Sequence, residues 1–374
     1  MSRVALLTYS TKPRGGVVHT LALAEALADQ GAEVHVFALG SEGFFRPLKV
    51  PFTLFPFTVE GDSLEEKVFA CIGAMTAGLA KVAGEFDILH AQDCISARAA
   101  TQVHPRVVRT VHHVDDFTTP ALVDCQRRSI VEPGHVLVVS EHWRRVLLQE
   151  YGVAAQVVRN GVDPARIGPV SARRRARLRA SVGAGDRFLL LAVGGIEPRK
   201  GSKTLFRALG LLRGDKPVLA IVGGHSFRDH EPYRRQALAL LPGLGLNAAQ
   251  DGAQDVVQLG TVSEEQLAAW YRSADALAYP SIEEGFGLAV LEAQVADLPV
   301  VASDLPVFRE FLTHGRDALL PAVGDPVALA AALEQVMTDP ALRATLVAGG
   351  RLVVPRFTWA ACAARHAEIY RSIR

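Results

Sequence analysis

Short β-branched runs alternate with amphipathic stretches along almost the whole chain, and the alternation runs twice. Val4–Tyr9, Glu33–Leu39, Asp87–Ala91, Val107–Val111, Val136–Ser140 and Gln156–Arg159 read as buried strands, with helical patterns such as Val18–Asp29 and Glu141–Tyr151 between them. After Arg187 it restarts with Phe188–Val193, Val218–Val222, Val256–Leu259, Ala276–Tyr279, Pro299–Ala302 and Ala318–Leu320. Such repetition predicts right-handed βαβ units and parallel sheets. Two series predict two doubly wound α/β domains joined near Asn160–Pro169, and 374 residues suffice for two ordinary cores.

The charge balance narrows the partners. Forty basic and 39 acidic side chains leave a net charge of +1, which gives no basis for a nucleic-acid partner. The basic run Arg173, Arg174, Arg175, Arg177 and Arg179 reads as a solvated helix face, with an acidic membrane or substrate as its rival. Cys71, Cys94, Cys125 and Cys362 are far apart in sequence and form no C-x-x-C, and MSRVALLTYS has too short an apolar run for a secretory signal. Reduced thiols and a cytoplasmic location are expected. No run approaches the roughly 18 apolar residues of a membrane span, although peripheral membrane contact stays open.

In an open α/β sheet, ligands bind beyond the carboxyl ends of the strands. The chain is richest there. STKPRGG, with Gly15 and Gly16, follows the first strand; GGIEPRKG follows the restarted one; PSIEEGFG follows Ala276–Tyr279. Each loop leads into a helix start, where backbone N–H groups and the helix dipole favour anions. Glycines for close approach, Arg199 beside Lys200, and a helix start at Gly285–Leu288 suit a diphosphate. Nicotinamide chemistry is disfavoured: neither first strand is followed by G-x-G-x-x-G, and EVHVFALG ends without a ribose-binding acid.

SIEEGFGLAVLEAQ places Glu284 and Glu292 eight residues apart. Were the whole span helical, a rise of ~1.5 Å per residue would separate them by ~12 Å. Glycosidase carboxyl pairs lie ~5–5.5 Å or ~6.5–9.5 Å apart, so a hydrolytic dyad is disfavoured against a clamp on a long ligand. The plainer alternative makes Glu284 a helix cap and Glu292 a solvated acid. His113, Asp115 and Asp116 divide evenly between an acceptor pocket and a polar turn, Asp163 reads as a cap, and Trp143, Trp270 and Trp359 read as packing residues. Twelve histidines show no metal-ligand spacing, and D-x-D is absent.

These motifs resemble, in order and over nearly the whole chain, the GT-B retaining glycosyltransferases of the family four group (glycosyl transferases group 1). The matching residues are Gly15-Gly16 with His19, Asp87-Ile-Leu-His90, Thr110-Val-His112, Asn160-Gly-Val-Asp163, Glu197-Pro-Arg-Lys200-Gly201, the E-x7-E span from Pro280 through Glu292, and Phe357-Thr-Trp359. The resemblance implies two Rossmann-like domains facing across a cleft: residues 1–162 on the acceptor side, 163–354 on the donor side, and a helix in 355–374 returning to the first. It implies a hexosyltransferase, metal-independent and without a cofactor, taking a nucleotide-sugar donor and an unknown hydroxyl acceptor. Lys200 would neutralise the diphosphate, with Gly16 and the N–H groups of Phe286, Gly287 and Leu288 beside it. Glu284 would hold sugar hydroxyls, Glu292 the ribose, and His112 would orient the reacting sugar.

Two positions depart from that pattern. Gly195 stands where the group usually has arginine, so that the phosphate either relies on Arg199 or has its charge matched less well, and Gln92 stands where histidine is frequent. Epimerisation, glycoside phosphorolysis and a binding module without turnover remain alternatives. Donor base, sugar, acceptor and oligomeric state leave no legible trace, and Phe44–Gly61, expected on the acceptor side, carries no motif.

Overall fold

A computed structural model of the chain describes residues 3–58, 61–224, 230–248 and 254–373; Val59 and Glu60 of the Phe44–Gly61 segment and the terminal Arg374 lie outside them. The chain divides into two compact units, Met1–Gly161 with Phe357–Arg374, and Val162–Arg356.

Unit 1 is built on seven strands, all parallel: β1 (Arg3–Thr8), β2 (Glu33–Leu39), β3 (Phe52–Phe55), β4 (Ile88–Ala91), β5 (Val107–Val111), β6 (His135–Val138) and β7 (Gln156–Val157). Their spatial order is β3-β2-β1-β4-β5-β6-β7. β4 and β5 are buried along their whole length, as a parallel sheet covered on both faces requires, and this makes them near-continuous apolar runs in sequence. The last helix, Trp359–Ser372, starts from the Thr358 cap and packs on the helix Gly15–Asp29. Its Cys362, Ala363, Ile369 and Tyr370 share one core with Leu21, Leu27 and Val108.

Unit 2 carries five parallel strands, β8 (Leu189–Val193), β9 (Val218–Val222), β10 (Val256–Gly260), β11 (Ala276–Tyr279) and β12 (Val300–Ala302), in the order β10-β9-β8-β11-β12. In both units the chain leaves the first strand for one edge and returns on its other side. The order therefore reverses between β1 and β4, and again between β8 and β11, where such sheets open a crevice for a ligand.

Three sequence expectations need correction. β3 was not anticipated: it is a half-exposed edge strand between Pro51 and Pro56, so it lacks the apolar signature of the inner strands. Ala318–Leu320 is no strand; it touches the sheet edge through one isolated bridge, Leu319 to Val301, while Ala318 bridges His314 across a local turn, before Pro321 interrupts the ladder. And the four cysteines are not all distant in space, since Cys94 Sγ and Cys125 Sγ lie 3.7 Å apart.

The arginine run forms the helix Ala172–Ser181. Arg173 and Arg177 are exposed as expected, whereas Arg174 pairs with Glu265, and Arg175 and Arg179 with Asp275. Asp163 is a cap, accepting from Ala165 N–H. Trp143 and Trp270 are buried, and Trp359 packs against the unit 1 core. No helix among the described residues is long and apolar enough to cross a membrane.

Candidate functional site

The loops after β8 and β11 straddle the strand reversal of unit 2 and are stitched together by Ile282 N–H donating to the carbonyl of Arg199 at 2.8 Å. Pro198–Lys200 forms a single 3₁₀ turn, which presents Arg199 and Lys200 to the neighbouring loop. Four groups converge on Glu284 Oε1: Lys200 Nζ at 2.6 Å, Ser281 Oγ at 2.8 Å, Tyr279 Oη at 2.9 Å and Arg199 Nη1 at 3.1 Å. Lys200 Nζ also donates to Tyr279 Oη at 2.7 Å and lies 4.6 Å from the centre of its ring.

Burial alone would raise the pKa of Glu284, but Lys200 and Arg199 outweigh it and hold the carboxyl at about 2. Glu284 is therefore an ionised acceptor and no reservoir of protons at neutral pH. Glu284 in turn raises the pKa of Arg199, whereas burial lowers that of Lys200 against the pull of the same carboxylate. Two cations facing one buried carboxylate keep the cluster charged.

The helix that follows starts at Leu288, at the end of the Gly285–Leu288 stretch where a start was expected, and ends at Val295. Gly287 blocks an earlier start. It adopts φ +91°, and a Cβ there would fall 2.3 Å from the Phe308 ring. No side chain caps the helix, so Glu284 is not its cap, and the first turn leaves backbone N–H groups for other acceptors. Gly285 lies in the preceding loop, and Phe286 is buried and stacked on Phe311 at 5.5 Å. Glu292 stands apart from the cluster. Its Oε2 accepts from Tyr271 Oη at 2.8 Å, and burial raises its pKa despite that bond.

In unit 1, Gly16, Gln92 and His112 meet at the carboxyl ends of β1, β4 and β5. Gly15 and Gly16 open the first helix; a Cβ on Gly15 would meet nothing within 4 Å, and one on Gly16 would meet only the His112 ring, at 3.6 Å, and the Gln92 carbonyl, at 3.9 Å. Packing within the unit does not require either glycine. His112 Nε2 lies 3.1 Å from Gln92 Oε1, and burial, then His19 and Arg109, push its pKa well below the usual range. His113 and Asp115 form a half-exposed pair at 3.7 Å, within a turn tied to Gln126.

Sequence reasoning missed Tyr279, Ser281 and Tyr271. The first two sit where β11 ends, a position that could have drawn attention to them. Tyr271 carried no signal, since a tyrosine on an amphipathic helix reads as core. A larger cavity of about 730 Å³ lies at the opposite, amino-terminal end of β8, β11 and β12, lined by Phe188, Asp275 and Pro299. Its Arg175, Arg179 and Arg272 pair with Asp275 and Asp297, and topology favours the Glu284 end, at the carboxyl ends of the strands, for a ligand.

Comparison with known proteins agrees with this architecture. The Glycosyltransferase Family 4 pattern matches residues 13–166, and that of Glycosyl transferases group 1 matches 174–353. D-inositol 3-phosphate glycosyltransferase of Thermobispora bispora is 30% identical, over 99% of this chain and 94% of its own. Phosphatidyl-myo-inositol mannosyltransferase of Mycobacterium leprae is likewise 30% identical, over 98% and 95%. The crystal structure of Anabaena HepE, solved with UDP and glucose, superposes with a TM-score of 0.82 at 20% identity and covers both chains fully. The fold is GT-B, and the chain belongs to the family 4 glycosyltransferases.

Proposed function

We propose that this glycosyltransferase takes a hexose from a nucleoside diphosphate and passes it, with retention and without a metal ion, to a hydroxyl of a polyol acceptor. The observation that carries the reading is the convergence of Lys200, Arg199 and Glu284 beside an uncapped helix start at the strand reversal of unit 2. Lys200, Arg199 and the N–H groups of Gly287 and Leu288 oppose the charge that develops on the departing diphosphate. The ionised Glu284 accepts from sugar hydroxyls, and Glu292 from the ribose. Gly15 and Gly16, which packing does not require, allow the backbone of unit 1 to approach a ligand, and His112 orients the sugar. The acceptor's proton passes to a donor phosphate oxygen, because Glu284, the acid nearest these cations, is committed to ion pairs. The names of the two 30%-identical relatives support a cyclitol or its phosphate as acceptor.

The test is a panel of UDP-, GDP- and ADP-sugars with myo-inositol and inositol phosphate, scored by released nucleoside diphosphate and by the anomeric configuration of the product. Release in the presence of EDTA with a retained anomer is expected. An inverted product, a covalent glycosyl-enzyme, or turnover of a glycoside with phosphate and no nucleotide would each sink the reading.

A further inference from the structure

Behind His112 in unit 1 lies a chain of buried polar groups that the reaction itself does not use. Gln92, 2% exposed, sits between two imidazoles: its Nε2 is 3.1 Å from His90 Nε2, and its Oε1 is 3.1 Å from His112 Nε2. His90 is fully buried; its Nδ1 lies 2.6 Å from Tyr370 Oη on the last helix, and its Nε2 lies 2.7 Å from Thr110 Oγ1. His112 Nδ1 has no hydrogen bond among the described residues.

We propose that Gln92 couples the tautomers of His90 and His112, so that when one ring carries its proton on Nε2 the other carries it on Nδ1. A carboxamide has one donor end and one acceptor end. Pinned between two Nε2 atoms, it matches one Nε2–H and one Nε2 lone pair; two of either kind would leave a buried group facing its own type. In the arrangement seen, His112 Nε2–H donates to Gln92 Oε1, and Gln92 Nε2–H donates to His90 Nε2. The Thr110 hydroxyl lies 2.7 Å from the same nitrogen and shares its one lone pair with the Gln92 amide, and His90 Nδ1–H donates to Tyr370 Oη. This leaves the Nδ1 lone pair of His112 as an acceptor for a substrate hydroxyl. Gln92 is a positioning residue, and Tyr370, from the far end of the chain, anchors it through His90. The consequence for substrate rests on the role given to His112 in the proposed function; the coupling does not.

The experiment is two-bond ¹H–¹⁵N correlation on full-length protein labelled with ¹⁵N-histidine at pH 7.5, with His112→Ala used for assignment. Expected are Nε2–H for His112 and Nδ1–H for His90. Gln92→Leu should mix the His112 tautomers and lower kcat about fivefold, the scale of one hydrogen bond, with nucleoside diphosphate Kd unchanged. Gln92→His, which again offers one donor and one acceptor nitrogen, should restore both readouts. The same tautomer in both rings, or unaltered tautomers in Gln92→Leu, would overturn the coupling. Opposite tautomers together with full turnover in His112→Ala would support the coupling and remove His112 from the reaction.

Discussion

Tyr271 donates its hydroxyl proton to Glu292 Oε2 across 2.8 Å, and this bond holds a buried carboxylate whose burial otherwise favours the neutral form. Tyr271→Phe deletes the donor and leaves the shape. A buried hydrogen bond to a charged group is worth about 1.5–3 kcal/mol. Nucleotide Kd should weaken about tenfold while kcat at saturation changes little. Isothermal titration with UDP, GDP and ADP checks this, and an unchanged Kd would separate Glu292 from nucleotide binding.

Glu284→Gln removes the charge that Lys200 and Arg199 share, yet keeps the side chain's size. Breaking a buried ion pair costs about 3–5 kcal/mol. Thermal stability should fall, and turnover should fall by more than nucleotide affinity does. Equal losses in kcat and in nucleotide binding would reduce Glu284 to a structural member of the cluster.

Acid should weaken the fold before the carboxylates titrate. His19, His90, His112 and His366 are all held neutral in unit 1, chiefly by burial, with His19 lowered to about 3 and His366 to about 4. Unfolded, they take protons near pH 6.5, so their contribution is complete above that pH and is lost as pH falls toward 4 and 3. The slope is about 1.4 kcal/mol per pH unit for each histidine within its window. Glu284 has the same sign between 4.5 and about 2, whereas Asp93 and Glu292, raised by burial, act oppositely. Calorimetry should show Tm dropping between pH 7 and 5; a flat Tm there would contradict buried neutral histidines.

Gly195→Arg, which installs the residue usual in the family, should damage unit 2. A Cβ at this position would fall 2.6 Å from the backbone oxygen of Gly224 and 3.3 Å from Glu197 Oε1. Backbone cannot rotate aside as a side chain does, so a loss of about 1–3 kcal/mol is expected, with no gain in donor affinity. Denaturant melts and a donor titration test both halves. An unchanged melt with tighter donor binding would show that the loop yields.

The inner strands were legible in the sequence because a strand buried on both faces must be apolar throughout. β1, β2, β4, β5, β8, β9 and β11 therefore stand within a residue or two of their sequence assignments, while half-exposed β3 left no such mark. Lys200 and Glu284, which the structure brings together, both drew attention in the sequence because loops at strand ends carry chemistry. Other partnerships were not legible. Tyr271 lies 21 residues from Glu292, Gln92 lies 20 from His112, and Tyr370 lies 280 from His90. Local periodicity reports only whether a residue is inside; which interior groups touch depends on how parallel crossovers order the strands. The sequence by itself determined the layers, the loops that bear charge and the family. Tertiary structure alone decided which carboxylate sits between two cations, where the helix after Gly287 begins, and how one amide came to lie between two histidines.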